Sequence, residues 1–363
     1  MSRKKQSKVN HVYIHIPFCK KKCPYCDFFS LPSEGQKIKD KYTDAIIKEF
    51  HHLSNKLAKP LKSIYLGGGS PALIGKKNLN KLLKAINPYL SKQTEKSIEL
   101  NPEHLESSSV LNLSFNRISI GVQTTNKKLL KLIKRKYLMS KLIKNISMIK
   151  RKNISLSLDF MFGLPQQKMS DLKRDLLFIK KVSPGHISFY MFTPPDRYPL
   201  KHDIPDDKTI ASMFKLIHSE LKKFGFIHYE VSNFAKNKRI CKHNFAYWDH
   251  SSYFGMGAGA HSFLSDKKER LWHGKNAKAY INNPLIYTGS EILDGKTEKL
   301  ENVMLGLRLL NVGLLKSQIK INKITDLVKN DLVIVENNHI KINPDKLMLL
   351  DSIVEHICIN ALA

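Results

Sequence analysis

Cysteine is scarce, with five residues in a chain of 363, too few for a disulfide scaffold. Long apolar runs are missing too. Among the longest, ISLSLDFMFGLP at 154–165 is interrupted by Ser and Asp and falls short of the roughly 20 apolar residues a membrane helix needs. The N-terminus, MSRKKQSKVN, is basic but leads directly into a strand-like VYIHI at 12–16. With no apolar signal core and no small-residue cleavage site, a cytoplasmic protein is expected. No internal repeat occurs at solenoid periods. Acidic residues are half as numerous as basic ones, 31 against 61, leaving a formal net charge of +30. A surplus of that size marks nucleic-acid or anionic-membrane binding when it gathers on one face. Here the lysines are strewn along every helical stretch (KKNLNKLLKAI, NKKLLKLIKRK, SKLIKNISMIKRK). That is a bias of the whole composition, and no nucleic-acid partner is expected.

What remains is an ordinary globular composition, 42% hydrophobic and 25% charged, with a regular alternation of elements. Strand-like runs stand at 12–16, 63–67, 97–100, 117–121, 154–160 and 186–192. Helical patterns lie near 37–57, 76–88, 126–150 and 170–181, with a weaker one near 103–112. Strand–helix alternation predicts an α/β fold with a parallel sheet and right-handed crossovers. Six units suit an incomplete (β/α)6 barrel of the TIM type, with function on loops at the C-terminal strand ends. The expected organisation is a basic tail over 1–10, the partial barrel over 11–235, and an irregular connecting segment over 236–290 that holds HNFAYWDH and GMGAGAH. A helical domain over 291–363 follows, bearing a wing-like hairpin at 331–342.

Three of the five cysteines crowd into eight residues: Cys19, Cys23 and Cys26, directly after the first strand. Three thiolates on a tight loop hold three corners of an iron–sulfur cube, whereas a structural cluster takes four. The vacant corner leaves one iron open, as a catalytic zinc keeps one position open. A structural zinc site would need a fourth ligand, and Cys241 and His243 are far downstream. Cys358 reads as an inert thiol in a C-terminal helix. The tract LGGGSPALI at 66–74 lets a charged ligand approach bare backbone. It lacks the GK[ST] ending of a phosphate loop.

CxxxCxxC after the first strand of an α/β barrel resembles the radical S-adenosylmethionine (SAM) superfamily, over nearly the whole chain. The resemblance implies a [4Fe–4S] cluster on Cys19, Cys23 and Cys26, with SAM filling the open position. It also implies SAM contacts at Tyr13, Gly68, Gly69, Ser70, Glu99, Gln123, Arg135 and Asp159. Those residue types suit the task, since carboxylates accept from an amine or ribose hydroxyls and a guanidinium meets a carboxylate.

The succession YIHIPFC, YLGGGSPAL, ELNPE, NRISIGVQ, DFMFGLPQ, HISFYMFTP, YEVSNFA, HNFAYW and GMGAGAHS is similar to the family of oxygen-independent coproporphyrinogen III oxidase. It is most similar to that family's heme chaperone (HemW) branch. Phe28 stands where the oxidase carries a fourth cysteine, and the chain has only a few residues before its first strand. HNFAYW matches the branch's HNxxYW motif. The resemblance implies heme as cargo with His243 as its candidate iron ligand, heme-accepting apoproteins as partners, and a flavodoxin-type electron donor. His250 and His261 are weaker candidates. Tyr137 replaces the histidine of the branch's GRxH-like ending, and Ser70 replaces a threonine. The alternatives are the oxidative decarboxylation of coproporphyrinogen III and an RNA-modifying radical enzyme.

Overall fold

A computed structural model describes residues 8–105 and 109–360. Its centre is six parallel strands: β1 His11–Ile16, β2 Ser63–Gly68, β3 Glu95–Leu100, β4 Arg117–Gln123, β5 Ser155–Phe162 and β6 His186–Met191. They pair in sequence order, as the six strand-like runs predict. Alternation along each strand decides the layers. Val12, Ile14, Ile64, Leu66, Ile98, Ile118, Ile120, Leu158 and Ile187 face outward and are buried under the connecting helices. Among these helices are α1 Gln36–Leu53 and α2 Gly75–Ile86.

The alternate positions face inward and are almost all polar. One register line runs Glu99, Ser119, Ser157, His186, and another runs Asp159 to Ser188. A TIM barrel fills its centre with branched aliphatics. This one lines its centre with hydroxyls, acids and imidazoles, which suits a barrel that holds a ligand.

The helix expected over 126–150 is two helices, α3 Lys127–Leu132 and α4 Met139–Arg151. The break follows from local bonding. Lys134 adopts a left-handed φ of 57°, and the Arg135 N–H bonds back to Leu130 O at 2.8 Å, closing α3. The weak helix near 103–112 is a pair of 3-10 turns, Pro102–His104 and Ser109–Asn112, with 106–108 outside the described residues. Helix α5 Met169–Val182 and helix α6 Asp207–Lys223 follow. Asp206 caps α6 by accepting from the Thr209 N–H at 2.7 Å.

The expectation of an irregular segment over 236–290 is corrected. Helix α7 spans Lys242–Trp248, and strand Tyr253–Met256 lies parallel against the outer edge of β1. Strands His261–Leu264, Glu269–Trp272 and Gly289–Ile292 continue the sheet antiparallel. At the far edge, Ile227–Glu230 and Asn233–Ala235 form a hairpin on β6. Among the described residues the sheet has 12 strands. These additions are four residues long or less, and hence too short for periodicity to reveal. Because Gly289–Ile292 belongs to this sheet, the C-terminal part begins after it. That part carries helices Gly295–Gly306 and Leu350–Asn360 and a three-stranded sheet. The sheet contains the expected wing, Val333–Glu336 with His339–Ile342. Of the expected basic tail, 1–7 lie outside the described residues, as do 361–363. Among the described residues no helix is long and apolar enough to cross a membrane.

Candidate functional site

The cysteine loop leaves β1 at Pro17 and is pinned at both ends. Phe18 is buried edge-on against Tyr42, ring centroids 5.3 Å apart. Phe18–Cys19 runs beside Leu31–Pro32, and the Leu31 N–H donates to Pro17 O at 2.7 Å. Between these anchors Tyr25 packs on Phe192 at 5.8 Å. The Cys26 N–H bonds Cys23 O at 3.1 Å. Cys19, Cys23 and Cys26 are half-exposed and unoxidised. Burial first, and then the neighbouring Cys26 and Cys23, push the Cys19 thiol up to about 11. Burial raises Cys26 as well. With Cys23 they form a donor set that a cationic metal cluster would deprotonate and bind. Arg135 stands beside Cys23 and Tyr25. The residues present therefore fit an iron–sulfur cube held at three corners.

The glycine tract at the end of β2 abuts this loop. The Gly69 N–H donates to Ile16 O at 2.8 Å, and a Cβ on Gly69 would lie 2.7 Å from Phe18 O. Gly68 has φ +105°, and a Cβ there would strike the His15 ring at 2.6 Å. These glycines are thus required for seating the cysteine loop, and their backbone donors are partly used within the protein. The Gly68 N–H reaches Glu99 Oε2 at 3.2 Å, while the Tyr65 hydroxyl donates to Glu99 Oε1 at 2.7 Å. Ser70 is buried and bonded to His104 Nδ1 at 2.6 Å. Tyr13 shares a 3.1 Å hydrogen bond with His15, whose Nε2 meets Phe29 O at 2.8 Å.

Asp159 on β5 completes an acid pair with Glu99. The Ser119 hydroxyl donates to it at 2.8 Å. Burial raises Glu99 to about 7, with the Tyr65 bond opposing and the Asp159 charge adding. Burial raises Asp159 to about 6, against hydroxyls of Ser119, Ser188 and Ser157. Two acids in this state exchange protons near neutrality and become strong acceptors for a cation. Gln123 sits at a register shift with φ 67°, a strained backbone of the kind found at working sites. Arg135 Nη2 donates to Gly121 O at 2.9 Å. The broken helix is what carries Arg135 there. Tyr137 serves the same break, donating to Thr124 O at 2.6 Å.

Tyr13, Gly68, Gly69, Ser70, Glu99, Gln123, Arg135 and Asp159 therefore gather around one strand-end rim with the three cysteines. His243 meets this set through Tyr13, on which its ring stacks at 6.2 Å. It lies on α7 at the opposite end, where Nδ1 bonds Ser63 Oγ at 2.8 Å and Nε2 bonds the Tyr247 hydroxyl at 2.9 Å. Its ring is 1% exposed and stacks on Tyr65 at 5.1 Å. Burial lowers it to about 3. Both ring nitrogens of His243, the candidate heme ligand, are thus hydrogen-bonded within the protein. Glu95 explains why α7 is seated there. It pairs with Arg117 Nε at 3.0 Å and accepts from the N–H groups of Lys242 and His243, each at 3.1 Å. Arg117 Nη2 grips the carbonyls of Arg239 and Ile240. HNFAYW is thus the floor of the barrel. Between floor and rim lies a small cavity of about 30 Å³, lined by Glu99, Asp159, Tyr65, Tyr190, Arg117 and Asn244 among others.

The sequence reading missed Tyr65, Ser119, Ser157, Ser188, Arg117, Glu95 and His104. All but His104 occupy alternate positions of strands whose remaining positions are mostly apolar, a signal of a polar-lined barrel present in SIYLG, RISIG and HISFY.

Residues 13–179 match the model of the Radical SAM superfamily. Heme chaperone HemW of Buchnera aphidicola subsp. Schizaphis graminum is 35% identical over 287 residues, 76% of each chain. Heme chaperone HemW of Bacillus subtilis is 34% identical over 267 residues, 69% of this chain and 70% of the relative. The Escherichia coli protein of that name is 32% identical over 273 residues, 72% of this chain and 71% of the relative. Among solved structures, coproporphyrinogen III oxidase HemN from Escherichia coli, a radical SAM enzyme, superposes with TM-score 0.78. It is 20% identical and covers 97% of this chain and 90% of its own. That likeness shows a common fold. The cysteine triplet at the barrel rim, the matched superfamily model and these relatives together establish that the chain belongs to the radical SAM superfamily, with its [4Fe–4S] cluster and SAM, and within it to the HemW family.

Proposed function

We propose that this protein is a cytoplasmic heme chaperone that binds heme and passes it to acceptor apoproteins. The observation that carries this reading is the set of relatives named heme chaperone, which match most of the chain at 28–35% identity. The site supports it. Cys19, Cys23 and Cys26 would hold the cluster, which when bound supplies an electron to SAM, with a flavodoxin-type protein as its source. Glu99 and Asp159 would accept from the SAM amine and ribose hydroxyls. Gly68, Gly69 and Ser70 would shape its methionyl end. Arg135 would face its carboxylate, and Tyr13 and Gln123 would flank it.

The test is a hemin titration of the anaerobically reconstituted full chain, paired with a decarboxylation assay. A saturable Soret band, and no turnover of coproporphyrinogen III with SAM and reductant, is the expected result. Decarboxylated porphyrinogen formed over many turnovers would make the protein an oxidase instead.

A further inference from the structure

Helix α5 brings two carboxylates to the end of β4, and neither belongs to the rim described above. Asp171 stands in its first turn and Asp175 one turn later, so both lie on one face. Both are buried, and Asp175 is 0% exposed. A carboxylate that deep needs donors, and the turn after Gln123 supplies them. Asp175 Oδ1 accepts from the Thr125 N–H at 2.6 Å and from the Thr125 hydroxyl at 2.5 Å. Asp171 Oδ1 accepts from Asn126 Nδ2 at 2.7 Å.

Tyr137 grips the same turn by its carbonyls. Its hydroxyl donates to Thr124 O at 2.6 Å and stands 3.1 Å from Val122 O. The gripped residues flank Gln123, whose φ of 67° is one that a residue with a side chain keeps only when its surroundings impose it. The consequence shows at Gly121. A Cβ there would lie 2.9 Å from Gln123 Nε2 and 3.2 Å from Arg135 Nη2. The bare glycine lets the amide and the guanidinium converge on one spot, with Arg135 Nη2 donating to Gly121 O at 2.9 Å. Asn126 carries the hold on to Arg135. Bonded to Asp171, it caps α3 by accepting from the Lys128 N–H at 2.8 Å, and Arg135 follows where α3 closes.

We propose that Asp175 and Tyr137 are positioning residues for SAM, holding the 122–126 turn so that Gln123 and Arg135 meet the cofactor together. They act through the backbone at Gln123 and make no contact of their own with the cofactor. The inference rests on the reading of Gln123 and Arg135 as SAM contacts given above.

The test uses the full chain with its cluster reconstituted without air. SAM affinity is read by calorimetry, and the turn itself by hydrogen exchange over 121–127 without SAM. Iron content is the folding control. Tyr137→Phe keeps the ring and removes only the hydroxyl. It should weaken SAM binding about fivefold, the worth of one net hydrogen bond, and speed exchange over 121–127, with iron content unchanged. Asp175→Ala should weaken binding further. Asp175→Asn, which keeps an acceptor for the Thr125 N–H, should recover most of that loss. Glycine adopts φ > 0 freely, so in a Gln123→Gly background Tyr137→Phe should change SAM affinity by less than about twofold, the margin within which independent changes add. An undiminished effect in that background would overturn the positioning role. So would unchanged affinity in both Tyr137→Phe and Asp175→Ala while Gln123→Gly weakens binding, and the contacts would then stand alone. If Gln123→Gly and Arg135→Ala both bind SAM like the wild type, the contact reading itself fails, and the inference with it.

Discussion

Glu95 and Arg117 face each other across β3 and β4 with Oε2 and Nε 3.0 Å apart, both more than nine-tenths buried. From that pair hangs the barrel floor. Glu95 accepts the first N–H groups of α7, and Arg117 holds the two carbonyls before it. A buried ion pair gains little over a matched apolar pair, but breaking one side strands the other charge.

Glu95→Ala should therefore cost about 3–5 kcal/mol of stability, read as a drop in urea midpoint. Glu95→Leu combined with Arg117→Met should cost less than the single change. Equal losses in the single and double variants would show that the pair is not what seats α7.

The acid pair gives a pH dependence with a defined sign. Unfolded Glu and Asp titrate near about 4.3 and 3.9, while burial raises Glu99 to about 7 and Asp159 to about 6. The folded chain therefore binds more protons than the unfolded chain between these values. Their neutral forms contribute stability that is complete below about pH 4. It is lost as pH rises through 6 and 7. In the protein without SAM, Glu99→Gln should flatten this decline. SAM binding should run the other way, because its amine needs the ionised acids. Calorimetry should show tighter binding at pH 8 than at pH 6, and an unchanged affinity would remove Glu99 and Asp159 from the contact.

Gly69 tests how the two halves of the site are joined. Its missing Cβ faces the main-chain oxygens of Pro17 and Phe18, which cannot move without moving the cysteine loop. Gly69→Ala should lower iron incorporation and SAM affinity together. Gly35→Ala, at a position with nothing within 4 Å of the added carbon, should leave both unchanged.

Much of this was legible in the sequence, for physical reasons. The six barrel strands largely alternate apolar and polar residues, and Cys19, Cys23 and Cys26 cluster within eight residues, so the fold and a candidate metal-binding loop could be read directly. Arg135 became a candidate only through resemblance. Its position depends on a helix break at Lys134 that helical periodicity across 126–150 conceals. The surroundings of His243 were hidden, because they are set by Ser63 and Tyr247, residues brought together only by folding. The strands after residue 250 are four residues each, and their pairing is a tertiary fact.

The measurement that bears most directly on the account is the metal content and spin resonance of the full chain, reconstituted and reduced without air, with and without SAM. Expected are about four irons and four sulfides per chain and a reduced-cluster signal that SAM alters. Both should be lost when Cys19, Cys23 or Cys26 is replaced by serine and kept when Cys241 or Cys358 is. A colourless protein holding a single zinc, or a cluster signal indifferent to SAM, would contradict it.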